Sequence, residues 1–155
     1  MDVLDSNLWI RALTAEEYGE SVLEDVLANP DRTVWISAYI YREVVRNLDR
    51  IERSRSEIDR LQTRFVELVH DSENVRSPSR TEIERLDVRE VRSRQSVLAL
   101  AAGFDVQPKD APVLSFGYVC SVDSEQTTIR TADESFARFD GGRFYDHLAV
   151  EYAGS

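Results

Sequence analysis

Short runs of β-branched and aromatic residues, alternating with stretches of helical periodicity, constrain this chain more than any other feature. The runs are Val3–Asp5, Thr33–Ser37, Thr127–Thr131 and Leu148–Tyr152. Thr33-Val34-Trp35-Ile36-Ser37 suits a pleated, buried surface better than a helix. Between the runs, apolar residues recur at three- and four-residue intervals, which is the signature of one-sided helices. Strands separated by helices predict a mainly parallel sheet covered on both faces. With 155 residues and 42% apolar content, the chain is long and apolar enough for one α/β domain, spanning 1–155, with a real core.

The helices can be placed by their caps. A short one follows the first strand to Leu13. Thr14-Ala15-Glu16-Glu17 is a capping box that opens a second, running to about Ala28, with Val22, Leu23, Val26 and Leu27 on one face. From Ala38 the apolar face is Tyr39, Ile40, Val44, Val45 and Leu48, and the pattern continues or restarts through Ile58, Leu61, Phe65 and Val69. A loop from Asp71 to about Arg80 contains Pro78. A second capping box, Thr81 to Glu84, predicts one helix to Ala102, closed by Gly103. Residues 50–94 form a long, charged helical segment. Asp110-Ala111-Pro112 starts a further helix through Cys120, and Asp140-Gly141-Gly142 reads as a turn.

Composition excludes several classes. No stretch of about 18 uninterrupted apolar residues exists, so no membrane span is expected. No basic, then apolar, leader opens the sequence, and Cys120 is the only cysteine, so a cytoplasmic protein without disulfides or a cysteine-based zinc site is expected. The net charge is −10, and Lys109 is the sole lysine. Acid-rich, lysine-poor composition suits a salty cytoplasm and suggests a halophilic host. In molar salt the Debye length is about 3 Å, so this charge does not exclude an anionic partner.

There is no glycine-rich phosphate loop and no G-x-S-x-G elbow. His70 and His147 stand in no metal-ligand spacing, and Cys120 fits an apolar helix face. Carboxylates at element ends are different. Asp5 ends the first strand, Glu43 lies in the first turns after the second, Asp110 opens a helix, and Asp133 follows Thr127–Thr131. In a parallel sheet the strand C-termini share one edge, beside the helix N-termini, and ligands bind there. Each acid also has a structural use: Asp5, Asp110 and Asp133 as caps or turn residues, and Glu43 as a partner of Arg42 or Arg46. Together, four carboxylates repel unless a cation neutralises them. Oxygen ligands favour Mg²⁺ or Mn²⁺, and the matching chemistry is metal-assisted phosphodiester hydrolysis.

At these residues the sequence resembles the PIN-domain family, in particular its VapC-type toxin ribonucleases. The resemblance rests on Leu4-Asp5-Ser6-Asn7, on Ser37-Ala38 followed by Glu43-Val44, on Asp110-Ala111, and on Thr131-Ala132-Asp133-Glu134-Ser135-Phe136. It implies a three-layer α/β/α sandwich and an acidic pocket for Mg²⁺ or Mn²⁺, with Asp5, Glu43, Asp110 and Asp133 as its catalytic and metal-binding acids. Ser6, Asn7 and Thr131 would be supporting polar groups. Asp105 is a rival to Asp110, because Pro112 departs from the family pattern. The implied activity is an Mg²⁺/Mn²⁺-dependent endoribonuclease, the toxin of a type II toxin–antitoxin pair. Its implied partners are RNA, a small antitoxin and a second copy of the chain. A non-catalytic PIN-like binding module, or a PIN nuclease of RNA processing, are the alternatives. Arg42 and Arg46 are candidates for RNA contact; Arg50 and Arg53, which continue the stripe, fit solvated ion pairs better.

Overall fold

The computed structural model describes residues 1–14, 23–123, 126–140 and 145–153. Five strands form one sheet in the order β3-β2-β1-β4-β5, and every neighbouring pair is parallel. They are β1 (Asp2–Leu4), β2 (Val34–Trp35), β3 (Val75–Arg76), β4 (Thr127–Thr131) and β5 (Leu148–Tyr152). Helices flank the sheet in a three-layer α/β/α sandwich. Successive residues of a strand face opposite sides, so the burial of all of β1, including Val3 and Leu4, means that both faces of the sheet centre are covered.

The strand order has a functional consequence. From β1 the chain builds outward through β2 to β3, then returns to the other side of β1 to place β4 and β5. The order therefore reverses between β1 and β4. Crevices of open α/β sheets form at such a switch point, outside the strand C-termini. Leu4 pairs with Arg130, and the Asp5 N–H donates to the Arg130 carbonyl at 2.9 Å. The C-terminal ends of β1 and β4 thus lie side by side.

The helices are α1 (Ser6–Leu13), α2 (described over 23–27), α3 (Ala38–Leu48), α4 (Arg55–Asp71), α5 (Arg80–Arg85), α6 (Val88–Ser93), α7 (Gln95–Phe104), α8 (Ala111–Val122) and α9 (Glu134–Ala137). Trp9 of α1 is fully buried, edge-on to Phe65 of α4 with ring centroids 5.4 Å apart, and Tyr41 of α3 completes that cluster at 4.9 Å. Gly117 lets α8 approach the sheet: a Cβ there would lie 2.6 Å from the Ile129 Cδ1. No helix among the described residues is long and apolar enough to cross a membrane.

Several expectations are corrected. The second strand is only Val34–Trp35, because Ser37 is taken by the N-cap of α3, its hydroxyl accepting from the Ile40 N–H at 3.1 Å. The pattern after Leu48 restarts rather than continues, with Ser54 capping α4. The loop after Asp71 contains β3, an edge strand. The single helix expected over 81–102 is three. Ser79, not Thr81, makes the capping box, with Glu82. Asp87 then accepts two backbone N–H groups and starts α6 afresh. Such side-chain acceptors compete with helix continuation. α7 runs past Gly103, and Asp105 supplies the left-handed C-cap, at φ 54°. Thr14 closes α1, its hydroxyl bonded to the Ile10 carbonyl, instead of opening a box. The rest of that box and the start of its helix lie outside the described residues, as does most of the Asp140-Gly141-Gly142 turn.

Candidate active site

Asp5 follows β1 as the N-cap of α1 and is 4% exposed. Its Oδ1 accepts from the Ser6 N–H at 2.8 Å, and its Oδ2 from the Thr131 hydroxyl at 2.9 Å and from Asn7 Nδ2 at 3.4 Å. Asn7 also accepts from the Ala132 N–H at 3.1 Å, and Thr131 Oγ1 accepts from the Asp133 N–H at 3.1 Å. The supporting residues therefore tie the ends of β1 and β4 together around one carboxylate. Ser6 contributes its backbone N–H to Asp5.

Glu43 projects from α3 and is 5% exposed. Its partner is neither Arg42 nor Arg46 but Arg92 of α6, whose Nη2 donates a charge-assisted hydrogen bond to Oε1. The Arg92 Nε donates to the Tyr39 hydroxyl at 2.9 Å, and that hydroxyl donates to the Lys109 carbonyl at 2.7 Å. Tyr39 and Glu43 are four residues apart on α3, so one helix face carries both.

Asp110 stands at the N-cap position of α8, 4% exposed, yet its carboxylate makes no capping bond. The sequence accounts for half of this. A cap carboxylate accepts from the second or third N–H of its helix, and the second helical residue is Pro112, which has none. The backbone of Asp110 is also helical, φ −94° and ψ −24°, not extended as caps usually are. Its carboxylate therefore does not serve the helix as a cap. Asp133, by contrast, does cap: Oδ1 accepts from the N–H groups of Ser135 and Phe136, at 2.9 and 3.3 Å, while Oδ2 accepts from Lys109 Nζ at 3.0 Å. Lys109 Nζ is also 3.6 Å from Asp110 Oδ1.

Electrostatics follow from this packing. Burial, then the nearby charges of Glu43 and Asp110, push the Asp5 carboxyl up to about 7. Burial raises Asp110 to about 6, with Asp133 and Glu43 adding to the rise and Lys109 opposing it. Burial also works to raise Asp133, but the hydrogen bond and charge of Lys109 and the α9 N–H groups bring it below the ordinary value. Asp5 and Asp110 are thus the two acids that lack full compensation. Among the described residues no three Asp, Glu, His or Cys side chains are arranged, as they stand, to hold a metal ion. The reason is visible: Glu43 is turned to Arg92 and Asp133 to Lys109. Asp5 and Asp110 are the two carboxylates that could hold a divalent cation here, with water completing its shell, as Mg²⁺ tolerates.

The other candidates lie elsewhere. Asp105 is exposed at the end of α7. His70 and His147 pack beside Tyr41 and Tyr145, and Cys120 is buried in α8, its thiol pushed up to about 12 by burial. Arg42 and Arg46 line a cleft of about 500 Å³ between α3, α5 and α6, opposite Arg85 and Arg89. Each acid on that cleft is engaged: Asp49 with Arg55 at 3.0 Å, Glu84 with Arg80 at 2.7 Å, and Asp87 with backbone N–H groups of α6. None of the four arginines makes an ion pair among the described residues. Sequence reasoning missed Arg92, Lys109, Arg85 and Arg89. Only the adjacency of Lys109 to Asp110 gave a signal.

A solved structure with the same fold is FitAcB from Neisseria gonorrhoeae, at 16% identity over 97% of this chain and 96% of that one, with a TM-score of 0.55. Another is FitAB bound to an IR36 DNA fragment, at 15% identity over 100% and 96% of the two chains, with a TM-score of 0.56. At this identity the likeness concerns the fold, which is PIN-like. No protein-family model matches the sequence, and no curated protein sequence does.

Proposed function

We propose that this chain is a metal-dependent endoribonuclease and the toxin of a toxin–antitoxin pair. The observation that carries the catalytic part is a pair of buried carboxylates, Asp5 and Asp110, raised to about 7 and about 6 at the switch point of a parallel sheet. Such a pair gains by binding a cation and is costly without one. A bound Mg²⁺ or Mn²⁺ would supply an activated water and offset charge on the phosphate. Asp5 and Asp110 hold the ion, and Thr131, Asn7 and the Ser6 N–H fix the Asp5 rotamer. Glu43 and Asp133 contribute negative potential from outside, each with its own cation.

RNA is supported as the substrate by the cleft beside Glu43. Four guanidiniums without carboxylate partners, Arg42, Arg46, Arg85 and Arg89, suit a phosphate backbone. Nucleic acid is also what one structure of this fold, FitAB, is bound to. An antitoxin partner follows from the resemblance to VapC-type toxins. A second copy is supported by exposed apolar residues on α7 and α8, among them Leu98, Val119 and Val122.

Cleavage of RNA in high-salt buffer with Mg²⁺ or Mn²⁺ tests the reading. Wild type should cut, while EDTA-treated protein and Asp5→Asn should not; equal cleavage in all three would overturn it. A second reading, a non-catalytic binding module, is favoured by one observation, the engagement of two acids by Arg92 and Lys109. It requires that wild type bind no Mn²⁺.

A further inference from the structure

Lys109 is the only lysine among 19 basic residues, and its ammonium stands against two of the pocket's acids. Everywhere else the chain uses arginine. The two differ physically: the lysine ammonium is a compact point charge, whereas the guanidinium is a broad planar fork. A compact charge is what a site shaped for a small cation accepts.

Its position is built from both ends. The backbone carbonyl of Lys109 accepts from the Tyr39 hydroxyl at 2.7 Å, and that hydroxyl accepts from Arg92. The ammonium bridges acids from two separate elements, Asp133 of the α9 cap at 3.0 Å and Asp110 at the start of α8 at 3.6 Å. The Asp133 oxygen that faces the pocket is the one Lys109 takes, since the other caps α9. A second divalent ion shared by Asp110 and Asp133 would need the same place. The charges agree with this. Four carboxylates face two resident cations, Arg92 on Glu43 and Lys109 on Asp133. The remainder equals the charge of one divalent ion.

We propose that the Lys109 ammonium fills the second cation position of the pocket. The site then takes up one divalent ion, held by Asp5 and Asp110, with Asp133 serving Lys109 instead of metal. Lys109 is in this sense a positioning residue. The inference rests on the metal-binding reading above, and the two fail in different ways.

The test counts Mn²⁺ on the full chain, by loss of the free-ion electron paramagnetic resonance signal and by titration calorimetry. Wild type should bind one Mn²⁺. Lys109→Met, which keeps the stem and removes the charge, should bind two. A gain of one ion on removal of the charge is a change that a merely structural role for Lys109 does not produce. Asp133→Asn should weaken Mn²⁺ by less than about tenfold, the low end of effects from outside a metal's own ligands, whereas Asp110→Asn should abolish binding. Circular dichroism checks folding, and Lys109→Gln replaces Lys109→Met if the latter is unfolded. Two ions on wild type, or one on folded Lys109→Met and Lys109→Gln, overturns the inference and leaves the metal site standing. No Mn²⁺ on wild type overturns both.

Discussion

Asp2 opens the first strand and Asp5 follows it; both are buried, and they differ in what faces them. Asp2 meets Arg130 at 3.0 Å and Arg32 at 3.7 Å. Asp5 makes no ion pair among the described residues and has Glu43 and Asp110 as its charged neighbours. Burial alone therefore does not mark a site; burial without a counter-charge does. A pH dependence follows. The Asp5 carboxyl sits at about 7 in the folded protein against 3.8 as its ordinary value. The folded state thus holds this proton more tightly than the unfolded chain. The stability it contributes is full below the ordinary value and is lost as pH rises through about 7. A tenfold difference in proton affinity between the two states corresponds to about 1.4 kcal/mol. Asp110, at about 6, acts in the same direction. Scanning calorimetry of metal-free protein should show Tm falling from pH 3.8 to about 7, the interval between the ordinary and folded values of Asp5, with Asp110 contributing up to about 6. Asp5→Asn should flatten that slope, and Mn²⁺ should raise Tm most at the upper pH, because the ion then displaces no proton. A wild-type Tm that climbs over this range would count against the cluster as described.

At the scale of elements, length decides what can be read. The longer pieces show in the pattern: β4 and β5 occupy the residues expected, and α1 and α8 come within a residue or two. The two-residue strands β2 and β3 carry too little periodicity to define their ends. The break of the charged segment into α5, α6 and α7 depends on a contest between neighbouring caps. Ser79 and Thr81 both precede a glutamate by three residues, and only the folded backbone chooses. Gly117 shows the reverse case, an element whose packing forbids a side chain. Gly117→Val would drive a methyl into Ile129 and Leu148, whose atoms lie 2.6 and 3.2 Å from the first added carbon. Overpacking of this kind costs about 1–3 kcal/mol, and urea unfolding should show that loss. A stability within error of wild type would mean that α8 stands further from the sheet.

At the scale of the whole molecule, charge is sorted. A chain of net charge −10 nevertheless gathers Arg42, Arg46, Arg85 and Arg89 around one cleft, adjoining the pocket through Arg92 and Glu43. Arg46 is held below its ordinary pKa first by desolvation, then by the charges of Arg50, Arg89 and Arg92. Guanidiniums crowded this way are relieved by an anion. Replacing Arg42 and Arg89 with glutamine should weaken binding of single-stranded RNA of any sequence. The salt slope should drop by about 0.7 for each phosphate no longer neutralised. Folding should be unaffected. An unchanged slope would place the RNA on another face.

The sequence by itself determined the α/β class and the parallel sheet, and it offered four acids as candidates. Strand–helix alternation is a local pattern, and strands of one direction bring their C-termini to one edge. The sequence offered Asp110 as a helix cap, and only the structure shows that its carboxylate makes no capping bond. Only the tertiary structure decided which acids stay uncompensated. Arg92 reaches Glu43 across 49 residues, and Lys109 reaches Asp133 across 24. Partners so distant leave no periodic trace, since packing of α6 on α3, and of the connector before α8 against α9, sets them beside their acids.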